Sequence, residues 1–293
     1  MPETVANPMA DRLRALIARG ELIKMPCCFD ALSAKLIEQA GFDLTFLSGF
    51  GASASRLGAP DTGLMSYGEV LDQARNAMRP LTIPMMVDGD TGHDNPMNVM
   101  RTVTGFARAG CAAVMIEDQV APKRCGHTMG KSVVCRSEAI DRIHAAVEAR
   151  ADHDIMILAR TDARREHGLD EALARAEAFA KIGADILFVE EPYTIEEMAT
   201  ICSSVDGVHM ANMLEGGQTP ILPPETLAEL GYSIAAYPLT LLSAAMKAMN
   251  AALVDLAAGR SAQEHLLDFA DLRAQIGFEE YHRKATAMND RAR

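Results

Sequence analysis

Residues 109–118 read AGCAAVMIED, and they join three features that recur along this chain. A glycine ends a helical pattern, a short apolar run follows at once, and a carboxylate stands where the run ends. Glycine ends helices readily because it adopts the left-handed conformation at little cost. The apolar run has the length of a buried strand. The stretch therefore predicts a β-strand that delivers Glu117 at its C-terminal end.

The same junction occurs three more times. Gly41 precedes the apolar run at 44–47, Gly183 precedes 186–189, and Gly231 precedes 234–236. Further apolar runs complete a set of eight predicted strands, near residues 23–27, 83–87, 155–159 and 207–211. Helical patterns, such as residues 170–181, separate most of these strands. Strands that alternate with helices form a parallel sheet, and eight of them in about 250 residues suggest a closed barrel.

We therefore predict an α/β fold, a (β/α)8 TIM barrel with C-terminal helices, in a single domain of residues 1–293. An N-terminal helix is expected at about 1–20, the barrel at about 22–259, and C-terminal helices at about 261–293, with a helical pattern over 261–282. A doubly wound open sheet is the structural alternative, but the chain lacks the full G-x-G-x-x-G dinucleotide fingerprint that such a sheet often carries.

Composition excludes several classes of protein. The 293 residues are 49% apolar, which supports a sizeable core, and the net charge of −12 argues against nucleic-acid binding. An acidic protein can still bind anionic substrates at a locally basic site. Six cysteines without C-x-x-C pairs fit a reducing cytoplasm. The N-terminal stretch has no long apolar run, so neither a signal peptide nor a membrane span is expected.

The loop after Glu117 contains the strongest catalytic candidates. Lys123, Arg124, Cys125 and His127 fall within five residues. Neighbouring cations favour the thiolate, so Cys125 should be the most easily ionised of the cysteines, and it is a candidate acid or nucleophile. The alternative is that Cys125 is a small apolar side chain and the loop a solvated turn.

A second strand ends in paired carboxylates. Residues 83–87 run into Asp88-Gly89-Asp90, and two aspartates at i and i+2 beside glycines can hold a hard cation such as Mg²⁺. A turn or a helix cap is the alternative interpretation of that motif. Polar or rigid residues stand at or just past the ends of seven predicted strands: Ser48, Asp88, Glu117, Arg160, Glu190, Asn212 and Pro238. In a barrel of this type the active site lies on that face.

These motifs resemble a known family. VDGDTG at residues 87–92 and EDQVAPKRCGH at residues 117–127 are similar to the isocitrate lyase/phosphoenolpyruvate mutase superfamily. The loop resembles that of its carbon–carbon lyases. The resemblance extends over nearly the whole chain, through LSG at 47–49, GAPD at 58–61, ARTD at 159–162, FVE at 188–190, ANM at 211–213 and YPL at 237–239.

The resemblance implies roles for individual residues. Asp88 and Asp90 would bind Mg²⁺, or Mn²⁺ in its place, with Asp61 and Glu117 acting through water. Arg160 would be catalytic and clamp the substrate carboxylate, and Cys125 would be the acid whose protonation Lys123 and His127 set. The remaining positions are implied to bind substrate: Ser48, Gly49, Phe50, Gly126, Glu190, Asn212, Leu214 and Pro238.

The implied reaction is Mg²⁺-dependent retro-aldol cleavage of a 2-hydroxy dicarboxylate, a 2-alkylmalate such as 2,3-dimethylmalate, to pyruvate and a short carboxylic acid. Alternatives are cleavage of 2-methylisocitrate to pyruvate and succinate, and hydrolysis of oxaloacetate. Hydrolysis of phosphonopyruvate is disfavoured because phosphonate enzymes of the superfamily lack the Cys-Gly-His loop. A metabolite-binding protein without turnover is the alternative from another class.

Several positions depart from methylisocitrate lyases. Phe46 replaces a tyrosine, and Gly216-Gly217 resembles the dimethylmalate lyase and petal death protein branch. Ser243 and Phe269 replace two arginines that would serve a tricarboxylate. The resemblance also implies a homo-oligomer, a dimer or tetramer, in which one C-terminal helix is exchanged between subunits.

Overall fold

A computed structural model describes residues 5–123 and 132–291 of the chain. Its strands are β1 Ile23–Cys28, β2 Thr45–Leu47, β3 Met85–Asp88, β4 Ala113–Glu117, β5 Met156–Thr161, β6 Ile186–Val189, β7 Val208–Asn212 and β8 Ile234–Tyr237. They form a closed barrel in sequence order. Each neighbouring pair is parallel, and β1 closes the barrel against β8. The prediction of a (β/α)8 TIM barrel is confirmed.

Helices connect the strands and extend the chain at both ends. In chain order they are α1 Pro8–Ile17, α2 Ala31–Gln39, α3 Gly49–Leu57, α4 Tyr67–Met78, α5 Pro96–Arg108, α6 Arg136–Ala149, α7 Ala163–His167, α8 Leu169–Ile182, α9 Ile195–Ser204, α10 Pro224–Leu230, α11 Thr240–Ala257, α12 Phe269–Ile276 and α13 Phe278–Arg291. A 3₁₀ turn lies at Gln263–His265.

Local sequence explains where several helices begin and end. Asp30 and Ser66 each form a capping box with the residue three positions on, which satisfies backbone N–H groups at the starts of α2 and α4. Gly183 and Gly231 end α8 and α10 with φ of 103° and 101°, a conformation that costs other residues more. The glycine junctions seen in the sequence are therefore helix ends that feed directly into β6 and β8.

The barrel has two apolar layers because successive strand residues point to opposite faces. Met25, Phe46, Leu158 and Phe188 belong to a cluster formed largely by one face of the strands, inside the barrel. Leu47, Val114, Ile157 and Phe179 belong to the layer between strands and helices. Burial of both faces is typical of a parallel sheet and explains why the strands read as continuous apolar runs.

Strand register brings the ends of the central strands together. Glu117 at the end of β4 lies opposite Arg160 on β5, and Asp88 at the end of β3 lies opposite Met115. β5 and β7 extend to Thr161 and Asn212, beyond the predicted ends of their apolar runs. Polar residues therefore continue two strands up to the C-terminal rim.

The chain forms two compact units, residues 1–241 and 242–293. The first contains the whole barrel, and the second contains most of α11 together with α12 and α13. The predicted helical stretch over 261–282 is interrupted, because Gly277 has φ of 101° and separates α12 from α13. The description of the chain as a single domain stays a prediction.

Helix α11, Thr240–Ala257, meets the length and apolar composition needed to cross a membrane. A single helix of this kind is weak support for a membrane span, since a helix that packs on other protein passes the same criterion.

Candidate active site

One cavity at the C-terminal rim of the barrel brings most of the sequence-predicted site residues together. Its lining includes Ser48, Phe50, Asp61, Asp88, Glu117, Lys123, Arg160, Glu190, Asn212, Leu214 and Pro238. The cavity holds about 640 Å³ of space, including its open mouth. A concave site with an apolar lining and a few convergent polar groups is where a small molecule usually binds.

The remaining predicted positions fall into two groups. Gly49 and Asp90 lie beside this lining, through contacts with Asp88 and Lys123. Cys125, Gly126 and His127 lie outside the described residues, and their roles stay predictions.

The cavity has an apolar floor beneath its polar rim. On five strands a polar or rigid rim residue follows an apolar lining residue by two positions: Phe46 and Ser48, Met115 and Glu117, Phe188 and Glu190, Met210 and Asn212, Ala236 and Pro238. Residues at i and i+2 share a strand face, so each pair points into the barrel. The sequence analysis missed this floor, although the two-residue spacing was a readable signal.

Three carboxylates converge on the ammonium group of Lys123. Its Nζ lies 3.0 Å from Asp61 Oδ2 and 3.5 Å from Asp88 Oδ2, and it also forms an ion pair with Asp90. The side chain is only 5% exposed. Burial opposes its charge, but Asp88, Asp90 and Asp61 together raise the pKa of Lys123 well above its usual value. The structure thus places Lys123 in the carboxylate cluster, whereas the sequence suggested a role beside Cys125.

The same carboxylates are also candidate ligands for a metal ion. Burial raises the pKa of Asp90 to about 7, Lys123 opposes that rise, and Asp88 and Asp61 add to it. Glu117 Oε1 is buried and has no hydrogen-bond partner within the part of the chain that the structure describes. Crowded carboxylates and an unpaired buried oxygen suit a divalent cation that prefers oxygen ligands.

The described residues contain no group of three His, Cys, Asp or Glu side chains already spaced as a closed metal cage. Mg²⁺ commonly binds through one or two carboxylates and keeps several waters, so it does not require such a cage. The donor set at Asp88 and Asp90 therefore fits this cation.

Arg160 lies beside the carboxylate cluster and contacts three further acids. Its Nε and Nη2 donate to the two oxygens of Asp162 at 2.9 and 3.0 Å. Glu117 Oε2 lies 3.4 Å from Nε, and Glu190 Oε2 lies 3.8 Å from Nη2. Burial raises the pKa of Glu117 well above its usual value, although Arg160 and Lys123 act in the opposite direction. Arg160 is thus held as a buried cation at the rim.

The start of α3 supplies a compact polar surface. Ser48 is the N-cap residue, and its hydroxyl accepts a hydrogen bond from the Gly51 backbone N–H at 3.2 Å. A Cβ atom at Gly49 would overlap Asp88 Oδ2, so the backbone approaches the carboxylate cluster closely there. A helix N-terminus with free N–H groups favours an anion such as a substrate carboxylate. Across the rim, Asn212 Nδ2 donates to Glu190 Oε1 at 3.3 Å.

Three buried residues behind Arg160 were missed by the sequence analysis as contributors to the site. Asp162 pairs with Arg160, Asp118 contacts the backbone of Asp162, and Arg175 pairs with Asp118. Asp162 stands two residues after Arg160, which places both on one side of the chain at the end of β5. Arg175 gave no such signal, since an arginine in an amphipathic helix is usually exposed.

Comparison with known proteins agrees with this geometry. Residues 13–257 match the family model for phosphoenolpyruvate phosphomutase. The chain is 44% identical over 240 residues to a 2,3-dimethylmalate lyase from Eubacterium barkeri, covering 82% of this chain and 83% of that protein. The chain belongs to the phosphoenolpyruvate mutase/isocitrate lyase superfamily. It is also 36% identical to a 2-methylisocitrate lyase from Aeropyrum pernix, covering 96% of this chain and 91% of the other.

Solved structures of this superfamily share the fold over nearly the full chain. An oxaloacetate acetylhydrolase bound to 3,3-difluorooxalacetate has a TM-score of 0.92 at 31% identity, covering 97% of this chain and 99% of that one. A 2,3-dimethylmalate lyase has a TM-score of 0.90 at 34% identity, covering 98% and 96%. A phosphonopyruvate hydrolase in complex with oxalate and Mg²⁺ has a TM-score of 0.83 at 28% identity, covering 94% and 96%. The predictions of this superfamily and of its carbon–carbon lyase class are confirmed.

Proposed function

We propose that this protein is a Mg²⁺-dependent lyase that cleaves a 2-alkylmalate, such as 2,3-dimethylmalate, to pyruvate and a short carboxylic acid. The single observation that carries the proposal is the division of the cavity. The rim presents Asp88, Glu117, Lys123 and Arg160, and the floor beneath it is apolar. Such a cavity matches a small molecule with a charged hydroxy-acid end and an alkyl-substituted carbon.

The charged part of the rim would bind the hydroxy-acid end of the substrate. Asp88 and Asp90 would hold the cation, with Asp61 and Glu117 positioning its waters, and Mn²⁺ would serve in place of Mg²⁺. When bound there, the cation would supply positive charge for the oxygen at C2. Ser48, Gly49 and Phe50 would bind the adjacent carboxylate, and Arg160 would clamp the same end of the substrate.

The chemical step requires a base and an acid. Removal of the C2 hydroxyl proton turns that oxygen into a carbonyl as the C2–C3 bond breaks, and pyruvate leaves. The electron pair of that bond passes to C3, where the neighbouring carboxylate delocalises it. Cys125 would then donate a proton to C3, which completes the short acid. Phe46 lines the cavity at the position where the family resemblance implies a tyrosine in some relatives, so a different group must act as the base here.

The remaining part of the lining would receive the alkyl carbon and the second carboxylate. Leu214, Pro238 and Leu239 lie on the lining, and they favour an alkyl substituent over a charged one. Glu190, Asn212 and Gly126 would orient the loop or contact the second carboxylate. Each of the two cations on the described lining, Lys123 and Arg160, already has carboxylate partners.

A pyruvate-release assay over a panel of malate derivatives tests this proposal. We expect turnover of 2,3-dimethylmalate with Mg²⁺, loss of turnover with EDTA, and recovery with Mg²⁺ or Mn²⁺. Asp90 has φ of 52°, so Asp90→Asn is the suitable variant, since asparagine tolerates that conformation. It should not recover activity on addition of metal. Asp94→Asn, in the same loop and also at positive φ, is the matched control and should remain active.

Other outcomes of this assay would indicate a different function. Oxalate and acetate from oxaloacetate, without pyruvate from any malate, would establish a hydrolase. Activity that survives chelation would remove Asp88 and Asp90 from the mechanism. Binding of pyruvate without turnover of any member of the panel would favour a metabolite-binding protein.

We also propose that the protein is a homo-oligomer, a dimer or tetramer, in which the C-terminal helices pack on a second copy. The second compact unit exposes large apolar side chains, including Met249 at 56%, Leu253 at 60% and Phe269 at 70%. Several large apolar side chains exposed on one unit are typical of a surface that packs on another protein. Sedimentation equilibrium should show a dimer or tetramer, and a monomer that instead co-sediments with lipid vesicles would contradict this proposal.

A cytoplasmic location completes the proposal. The cysteines that the structure describes, Cys27, Cys28, Cys111, Cys135 and Cys202, are free thiols. Free thiols suit a reducing compartment. Localisation of a tagged full-length chain by fractionation would test this assignment.

A further inference from the structure

Asp162 occupies the N-cap position of α7 but does not cap it. Aspartate at an N-cap normally accepts hydrogen bonds from backbone N–H groups of the first turn. Here its side chain makes no capping hydrogen bond, and Thr161 Oγ1 accepts the Ala163 N–H instead at 3.2 Å. Both Asp162 oxygens face Arg160, at 2.9 and 3.0 Å. The Asp162 carboxylate therefore binds the Arg160 guanidinium instead of capping α7.

Asp118 fixes the segment that carries Asp162. Asp118 Oδ1 accepts the backbone N–H of Asp162 at 2.9 Å, and Oδ2 accepts the Thr161 hydroxyl at 2.7 Å. Both Asp118 and Asp162 are almost fully buried. Hydrogen bonds to a buried, ionised acceptor are stronger than those between neutral groups, so this connection is rigid.

Arg175 anchors Asp118 from the helix layer. Its Nη1 donates to Asp118 Oδ2 at 2.9 Å, and its Nε donates to Glu171 Oε1 at 2.8 Å. Arg175 is itself 2% exposed. A continuous series of buried, charge-assisted hydrogen bonds thus runs from α8 through Asp118 and Asp162 to the guanidinium of Arg160.

We propose that Asp162, supported by Asp118, is a positioning residue that sets the orientation in which Arg160 binds substrate. The fork contact uses the Nε–H and one N–H of Nη2, which leaves the two N–H groups of Nη1 and the second N–H of Nη2 to meet a substrate oxygen. A long arginine side chain held at two points loses little additional freedom when the substrate binds. This inference rests on the proposed function of Arg160 as the carboxylate clamp.

Asp162→Asn removes both a negative charge and a contact that orients Arg160. These two losses should change anion binding in opposite directions, so the inference can be tested. Asp162→Asn removes a negative charge beside Arg160, so electrostatics alone would strengthen the binding of an anion. Loss of the two-point contact would weaken it, because Arg160 could turn away from the productive orientation. The sign of the change therefore separates a positioning role from a mere charge effect.

The experiment measures oxalate binding to the full-length protein in the presence of Mg²⁺ by titration calorimetry, which does not require turnover. Asp162→Asn should raise the Kd for oxalate about 10- to 100-fold. The affinity for Mn²⁺ alone should stay within about twofold, since Asp162 is not among the residues that would hold metal. Should Asp162→Asn not fold, Thr161→Val should weaken oxalate binding in the same direction by removing the hydroxyl that ties the segment to Asp118.

A double-mutant cycle completes the test. In an Arg160→Lys background, Asp162→Asn should change oxalate binding by less than about twofold, because the proposed effect of Asp162 on the substrate passes through the fork of Arg160. Asp185→Asn is the matched control, since Asp185 accepts hydrogen bonds from Arg150 and from the Ile157 N–H at the other end of β5. It should lower the melting temperature without changing oxalate affinity.

Two results would overturn the inference: unchanged or tighter oxalate binding in Asp162→Asn, or additive effects in the cycle. Failure of the proposed function has a different signature, because it is read from the unmodified protein, which would then release no pyruvate from any malate derivative.

Discussion

At the rim of the barrel, Lys123 meets carboxylates from separate parts of the sequence. Asp61 lies in the loop after α3, while Asp88 and Asp90 follow β3. Carboxylates stabilise a buried ammonium group. They also offset its positive charge, so the ammonium acts less strongly on its other neighbours. Lys123 immediately precedes Arg124 and Cys125, and its ammonium group is therefore held by the carboxylates that would bind the metal.

Cys125 is the residue whose replacement tests the acid step. Cys125→Ser should lower turnover about 10²- to 10⁴-fold, because a serine hydroxyl is far too weak an acid to protonate C3 near neutral pH. Oxalate binding with Mg²⁺ should be retained. The measurement is steady-state pyruvate release beside calorimetry, with Cys135→Ser as the control, since Cys135 is exposed and outside the cavity. Turnover near that of the unmodified protein would remove Cys125 from the mechanism.

The residues of the site were predictable to different degrees. Asp88, Glu117 and Arg160 end apolar runs, so position in the chain alone placed them at the rim. Asp61 follows no strand, and only the family resemblance indicated it. The contact between Lys123 and the carboxylate cluster could not be predicted, because it depends on the path of a loop rather than on strand periodicity.

Among the secondary-structure elements, α6 and α8 are joined by Glu171. This carboxylate pairs with Arg136 on α6 and accepts a hydrogen bond from Arg175 at 2.8 Å. The bond from Arg136 is the main reason that the pKa of Glu171 falls to about 2, and Arg175 adds to the effect. Because the folded-state pKa is depressed, the stabilisation is present above the unfolded pKa and is lost as pH falls towards 2.

Glu171→Gln should therefore lower the free energy of unfolding by about 1–2 kcal/mol at pH 7, a value reduced for partial exposure. The difference from the unmodified protein should shrink as the pH falls from about 5 towards the folded-state pKa. Urea denaturation at pH 7 and pH 4 measures the loss of unfolding free energy and its decrease at lower pH. Glu177→Gln on the same helix is the control, because its pair with Lys181 is exposed and should contribute less than about 0.5 kcal/mol. Equal losses in the two variants at pH 7 would contradict this role for Glu171.

The strands were predictable because burial on both faces leaves uninterrupted apolar runs, and glycine marked where several began. C-terminal helices after residue 260 were also predicted, but the break between α12 and α13 was not, since the apolar pattern continues through Gly277 while the backbone breaks there. The cavity floor escaped notice for a related reason: Met115 and Phe188 look like ordinary core residues until the barrel closes around them.

At the scale of the whole molecule, the net charge of −12 has the same sign as the anionic substrate that we propose. Long-range attraction therefore cannot supply the affinity, and the local cations must do so. Within the described chain these are Lys123 and Arg160 on the cavity lining. The site is thus suited to a substrate with few charges and an apolar substituent.

The small number of cations on the described lining predicts which substrate is preferred. The family resemblance implies that methylisocitrate lyases use two arginines for the third carboxylate, and that Ser243 and Phe269 stand at those positions here. Nearby candidates are engaged elsewhere, since Arg164 pairs with Glu197 and Arg165 with Glu191. A carboxylate buried without a partner costs several kcal/mol, so kcat/KM for 2,3-dimethylmalate should exceed that for 2-methylisocitrate by about 10²-fold or more.

The comparison requires kcat/KM for both substrates, measured by pyruvate release on one preparation of the oligomer. A preference for 2-methylisocitrate would show that a cation outside the cavity lining serves its third carboxylate. Arg164→Gln and Arg165→Gln would then identify that cation, since only the variant that removes it should reverse the preference. If neither does, the charge must come from a second subunit, and dilution to monomers should abolish cleavage of the tricarboxylate before that of the dicarboxylate.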